Sequence, residues 1–157
     1  MKRLSAMLLL VAVVAAPQLA HTIPHPSIAL EAEAEYQSAK EKIKAQDFIG
    51  AHRHLTTLLG DYSNQAEVYS LLGFTLRKTG RFEEALQHYT RALSLDARHL
   101  GANEYLGELH VELGQLDLAR ERLRFLHSVC GQGCEEARDL AAVIAAAEAS
   151  SGRKPPP

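Results

Sequence analysis

Apolar side chains recur at the spacing of an amphipathic helix along most of this 157-residue chain. In its central part, Leu72 and Leu76 share one face of a predicted first helix, and Tyr89 and Leu93 share one face of a second. Gly80 stands between the two, where glycine suits the left-handed backbone that often ends a helix. The sequence has no alternating run long enough to indicate a strand. The pattern therefore predicts an all-α protein built from pairs of helices.

The same pattern returns after 34 residues. Small and apolar residues recur at this interval, and the matching pairs are Leu72 and Leu106, Gly73 and Gly107, Gly80 and Gly114, Phe82 and Leu116, and Ala85 and Ala119. One interval earlier, Phe48 and Ala51 match Phe82 and Ala85. An internal period of this length indicates a repeat architecture, in which each unit buries its apolar face against its neighbours.

One complete unit runs from residue 66 to residue 99 and resembles the tetratricopeptide repeat family. The positions that carry the resemblance are Tyr69, Leu72, Gly73, Leu76, Ala85, Tyr89 and Ala92. The resemblance implies a right-handed α-solenoid of three helix–turn–helix repeats, at about 32–65, 66–99 and 100–131, within a domain spanning 30–150. The apolar face of residues 134–149 predicts a further helix that caps the last repeat.

The first repeat departs from the family pattern and leaves its register open. It has Glu35 and Lys42 where the central repeat has apolar residues. Tyr36 and Ile43 fit the apolar face better if the register slips by one residue. That slip would shorten the turn before Phe48 by one residue.

The N-terminal residues 1–20 have the features of a secretory signal. Lys2 and Arg3 give a basic start, an uncharged and mostly apolar run follows, and small residues come after it. The run is short for a bilayer span, which needs about 20 residues. An uncleaved anchor is the alternative. A cleaved signal predicts an exported protein without membrane insertion, and the alanine-rich composition favours the bacterial periplasm.

Two further segments are predicted to lie outside the repeats. Residues 21–29 are expected to form a linker, and residues 151–157 a disordered tail, because the latter are polar and rich in proline.

Charge and motifs limit the function classes. Without Lys2 and Arg3 the chain has 15 basic and 19 acidic residues, whereas nucleic-acid binding is expected to leave a basic footprint. The sequence contains no phosphate-binding loop, nucleophile elbow or zinc-protease motif. We therefore predict no enzyme activity, no nucleic-acid partner and no cofactor.

The resemblance implies a non-catalytic scaffold that binds a segment of another protein in a concave groove, lined by the first helix of each repeat. The groove residues predicted from the family positions are Tyr36, Lys40, Lys44, Ser70, Phe74, Arg77, Glu104 and Glu108. This groove would be basic at one end and acidic at the other. The alternative is that these charges are solvated helix faces and that Tyr36 belongs to the core.

Some members of the family bind the acidic C-terminus of chaperones through a clamp of Lys, Asn and Arg side chains. That clamp is mostly missing from this sequence. The corresponding positions hold Tyr36, Lys40, Leu71, Gly101 and Tyr105. Chaperone binding is therefore not expected from the resemblance.

Cys130 and Cys134 flank a Gly-Gln-Gly segment before the predicted capping helix. In an exported protein a disulfide is the expected state. Two alternatives remain: a redox-active pair, and a metal- or thiol-handling factor in which His127 joins the two cysteines. Thiolate and imidazole ligands suit copper(I) or zinc, but the sequence offers no clear fourth ligand, and no metal site is predicted.

Overall fold

The computed structural model describes residues 26–60, 62 and 64–151, and every regular element among them is an α-helix. The predicted signal, most of the predicted linker and most of the predicted tail lie outside these residues. The helices are α1 (Pro26–Lys44), α2 (Phe48–Thr57), α3 (Gln65–Lys78), α4 (Phe82–Leu95), α5 (Leu100–Glu112), α6 (Leu116–Cys130) and α7 (Glu135–Ser151). The chain is an all-α helical repeat solenoid, as predicted.

The 34-residue period is exact at the turn inside each repeat. The first helices of the three pairs end at Lys44, Lys78 and Glu112, and the second helices begin three turn residues later. The shortened turn that a slipped first repeat requires is absent before α2. Tyr36 and Ile43 are partly buried against the apolar cluster of the first repeat.

The turn between α1 and α2 has the same left-handed backbone as the turns after α3 and α5, although it lacks their glycine. Gln46 has a φ of 58°, and Gly80 and Gly114 at the same repeat position have φ values of 79° and 73°. A left-handed backbone is readily adopted by glycine and costs energy for a residue with a Cβ. The turn therefore depends on the packing of the flanking helices as well as on its own residues.

Helix α1 begins at Pro26, so the last part of the predicted linker, residues 26–29, is helical. The linker prediction was wrong there, because proline fits the first position of a helix, where no N–H is needed for the helical hydrogen bonds. At the other end, α7 extends to Ser151.

The second and third repeats each make a tight contact at the same glycine position. A Cβ on Gly73 would lie 2.6 Å from Cδ1 of Tyr89, and a Cβ on Gly107 would lie 2.5 Å from Cδ2 of Leu140. Because Tyr89 and Leu140 are fully buried, neither side chain has room to move aside. The first contact joins α3 to α4, and the second joins α5 to the capping helix.

The stacking places the odd-numbered helices in one layer. Helix α3 packs against α5, and α5 packs against α7. In stacked helix pairs this layer lines a concave surface, and we call the surface formed by α1, α3, α5 and α7 the groove. None of the helices in the described part of the chain has the length and hydropathy of a membrane span.

Candidate functional site

A hydrogen-bonded chain links three inner helices across the groove. The hydroxyl of Tyr36 on α1 donates to Oε1 of Glu67 on α3 at 3.0 Å. Nε2 of His99, just before α5, lies 2.9 Å from Oε2 of the same carboxylate. Nδ1 of His99 accepts from the backbone N–H of Ala102 at 3.1 Å, so Nε2 carries the proton. The hydrogen bond from His99 lowers the pKa of Glu67 despite its burial.

An aromatic cluster forms the centre of the groove. The ring of Phe74 lies 4.9 Å from that of Tyr105 and 5.9 Å from that of Phe48, measured between centroids. Nζ of Lys78 lies 5.4 Å from the Phe74 centroid. Phe74 is half-buried, so it presents part of its ring to the groove while supporting the contact between helices.

Arg77 is turned inward and paired within the protein. Its side chain is in contact with the carboxylate of Glu108, and its Nη1 lies 2.5 Å from Oε1 of Glu112. The residue is 4% exposed. Arg77, predicted to face a partner, is instead buried: its Nη1 and Nη2 donate to the two carboxylates of α5, and its Nε has no hydrogen-bond partner among the described residues.

Ser70 is also unavailable. It is 1% exposed, and its hydroxyl has no hydrogen-bond partner among the described residues. Ser70 was predicted to bind a partner, but its small side chain is covered by the packed helices. The same family position in the first repeat holds Tyr36, which is large enough to reach the groove.

The charged ends of the groove differ in character. Lys40 and Lys44 on α1 are exposed, and Nζ of Lys40 lies 5.4 Å from the centroid of the Tyr36 ring. At the opposite end Glu104 is buried, and Glu108 is occupied by Arg77. The basic end can therefore meet an anionic group directly, whereas the acidic end is a recessed site.

A pocket of about 600 Å³ lies at that acidic end, between α5 and the start of α7. Its lining includes Glu67, His99, Glu104, Tyr105 and, from α7, Glu136 and Asp139. The pocket residues on α7 were not predicted from the sequence, since that helix was expected only to cap the last repeat. The sequence feature that could have indicated them is the acidic pair Glu136 and Asp139, which lie three residues apart and therefore on one face of the helix.

The cysteine region brings together a different set of ligand atoms from the one that the alternative function invokes. The structure places Cys130 and Cys134 as a bonded pair, with Cα atoms 5.9 Å apart. Among the described residues, the ligand atoms that gather within 4.8 Å of one another are those of Cys130, Cys134 and Glu136. His127, the third ligand that the alternative function invokes, is not in this group. The disulfide itself stays a prediction until the thiols are titrated.

A family model for the tetratricopeptide repeat matches residues 66–99. These are the residues of α3, α4 and the turns that follow them. The chain is a tetratricopeptide repeat protein. No curated protein is similar enough to be matched to it.

Solved structures with the same fold cover most of this tetratricopeptide repeat protein. The complex of the TPR2B domain of yeast Sti1 with pHsp70 has a TM-score of 0.68 and 19% identity, over 78% of this chain and 99% of that one. The Sgt2 TPR domain from Aspergillus fumigatus has a TM-score of 0.66 and 19% identity, over 83% and 90%. PcrH from Pseudomonas aeruginosa has a TM-score of 0.62 and 23% identity, over 77% and 92%. At these identities the similarity shows the fold.

Proposed function

We propose that this protein is a non-catalytic scaffold that binds a segment of another protein in the groove. The observation that carries the proposal is the surface between Lys40 and Phe74. It combines an exposed cation with partly exposed aromatic rings, among them Tyr36 and Tyr105. Aromatic side chains that are already held by neighbours supply contact area at a low entropic cost.

Proteins of the same fold support this proposal. The solved structures include PcrH in complex with the chaperone binding region of PopD, and the second TPR domain of human RPAP3 in complex with an HSP70 peptide. Both hold a segment of another protein. The missing clamp at Tyr36 and Lys40 argues that the segment bound by this chain differs from the acidic chaperone terminus.

The proposed cellular setting is the bacterial envelope, after export. It rests on the signal-like residues 1–20 and on the placement of the cysteine pair. A fusion of the chain to alkaline phosphatase, which needs disulfides to be active, tests export in a bacterial host. Activity that disappears when residues 1–20 are deleted supports export, and equal activity with and without them contradicts it.

The groove is tested by photo-crosslinking and affinity capture with a double variant. Phe74→Ala combined with Lys40→Glu removes the aromatic centre and reverses the open charge. Arg77 is left intact because its ion pairs hold α3 to α5. The matched control is Leu86→Ala with Arg53→Glu, which makes the same kinds of change at exposed sites on α4 and α2.

We expect the control variant to retain the captured protein and the groove variant to lose at least tenfold in affinity. Circular dichroism checks that both variants are folded. A partner retained equally by both variants would show that the groove is not the binding surface.

A further inference from the structure

We propose that the pocket between α5 and α7 receives a lysine or arginine side chain of the bound segment. This inference rests on the proposed function and adds the chemistry of the partner. Six of the eleven residues that line the pocket are carboxylates, and Arg98 is its one permanent cation among the described residues. Such a pocket attracts a cation and repels the acidic peptides that some proteins of this fold bind.

The second observation is the state of Glu104. This side chain is 9% exposed, lines the pocket, and has no hydrogen-bond or ion-pair partner among the described residues. Two other carboxylates of the groove do have partners: Glu67 is hydrogen-bonded to Tyr36 and His99, and Glu108 is paired with Arg77. A buried carboxylate without a partner costs free energy, which a cation supplied by the ligand would recover.

The charges around Glu104 support the same conclusion. Burial raises its pKa to about 8, and the carboxylates of Glu108 on its own helix and of Asp139 and Glu136 on α7 add to this effect. Arg77 on α3 opposes it, but Nη1 and Nη2 of Arg77 are paired with Glu112 and Glu108. A ligand cation would therefore displace a proton from Glu104 on binding.

The arrangement suits an organic cation better than a metal ion. Among the described residues, no three ligand atoms of Glu104, Asp139 and the other pocket carboxylates lie within 4.8 Å of one another. A metal ion needs converging ligands, whereas a guanidinium presents five donors over a plane and reaches separated acceptors. Tyr105 also lines the pocket, and an aromatic ring can add a cation–π contact to a bound cation.

Selection from a displayed library of random 12-residue peptides tests the inference on the purified full-length chain. The pocket variant is Glu104→Gln with Asp139→Asn, which keeps side-chain size. The matched control is Glu121→Gln with Glu83→Gln, which changes the charge equally at two exposed sites on α6 and α4. Circular dichroism confirms that each variant is folded.

A selected peptide is then synthesised with arginine and, at the same position, with citrulline, its neutral analogue. Fluorescence anisotropy gives the two dissociation constants. We expect the arginine peptide to bind the wild type and the control at least tenfold more tightly than the citrulline peptide does. In the pocket variant we expect the two dissociation constants to differ by less than threefold. We also expect the affinity of the arginine peptide for the wild type to rise at least fivefold from pH 6 to pH 8, because Glu104 loses its proton over this range.

The outcomes separate this inference from the proposed function. One contrary result is a selected peptide that loses affinity in a Phe74→Ala variant and yet binds equally with arginine and citrulline, or keeps its preference for arginine in the pocket variant. Either result would contradict the proposed cation pocket and leave the proposed groove standing. If the wild type selects no peptide above an unrelated control protein, both proposals fail.

Discussion

The guanidinium of Arg77 holds the carboxylate of Glu108, which lies 31 residues later on the next inner helix. With Glu112 as the second acceptor, this pair joins α3 to α5 at a buried point of the groove. The position that the family pattern assigns to partner binding here serves the stacking of repeats.

We expect Arg77→Leu to lower the free energy of unfolding by about 3 kcal/mol, because it leaves two carboxylates close together and uncompensated. Urea denaturation followed by circular dichroism measures the loss. The control is Arg81→Leu, which breaks the exposed pair with Glu84 and is expected to cost less than about 1 kcal/mol. Equal losses in the two variants would show that the buried pair does not hold the repeats together.

Glu104 should make stability depend on pH. Because its pKa is raised to about 8 from an ordinary 4.5, the folded state keeps a proton that the unfolded chain loses. Its contribution is therefore complete below pH 4.5 and is lost as pH rises through 8. We expect Glu104→Gln to equal the wild type near pH 4.5 and to exceed it by about 1 to 2 kcal/mol at pH 8, discounted because the carboxylate faces an open pocket.

Urea denaturation at pH 4.5, 6 and 8 measures this difference, with Glu121→Gln as the exposed control. If the difference in stability between Glu104→Gln and the wild type does not change with pH, the pKa of Glu104 is not raised in the folded protein.

Gly73 should not tolerate a methyl group. We expect Gly73→Ala to cost about 2 kcal/mol, because the added Cβ would overlap the buried ring of Tyr89. Gly101 is the matched control, since a Cβ there would meet its neighbours at 3.7 Å, an ordinary contact. Gly101→Ala is expected to be neutral or to stabilise by about 0.5 kcal/mol. Thermal unfolding distinguishes the two, and equal midpoints would contradict the close approach of α3 and α4.

The turn at Gln46 offers a stabilising substitution. Gln46→Gly should raise the free energy of unfolding by about 0.5 to 1 kcal/mol, because glycine adopts the observed positive φ without strain. Gly80→Ala makes the converse change at the equivalent turn and should lower it by about 1 kcal/mol. A loss of stability on Gln46→Gly would mean that the side chain of Gln46 contributes more than its backbone strain costs.

The cysteine pair is expected to act on stability alone. If Cys130 and Cys134 are oxidised, the double serine variant should lose about 2 kcal/mol by the loop-entropy model, while peptide affinity in the groove changes by less than twofold. Thiol titration of denatured protein from the native compartment gives the redox state. Two free thiols per chain would overturn the disulfide prediction.

Several features of the fold follow directly from residue identity. The glycines and alanines that allow helices to approach, and the apolar residues between them, recur every 34 residues, and Gly80 and Gly114 mark the turns that follow α3 and α5. Gln46 shows the limit of this approach: without a glycine at the turn, the sequence left two registers open, and the packing of α1 on α2 selected one of them.

The groove was less accessible to sequence reasoning. A family position tells which helix face a residue occupies, but the exposure of that residue depends on what the neighbouring helix brings against it. Arg77 and Ser70 therefore proved to be buried, and Asp139 joined a pocket from a helix assigned only to capping.

The sequence by itself determined the all-α repeat architecture of this protein, its period and its inner layer of helices, because these depend on local spacing and on small residues at fixed intervals. Only the tertiary structure decided which charges are paired. Arg77 meets Glu108, and Glu104 has no such partner in the described part of the chain. Pairing depends on distances between helices that lie far apart in sequence, and no periodicity in the chain records those distances.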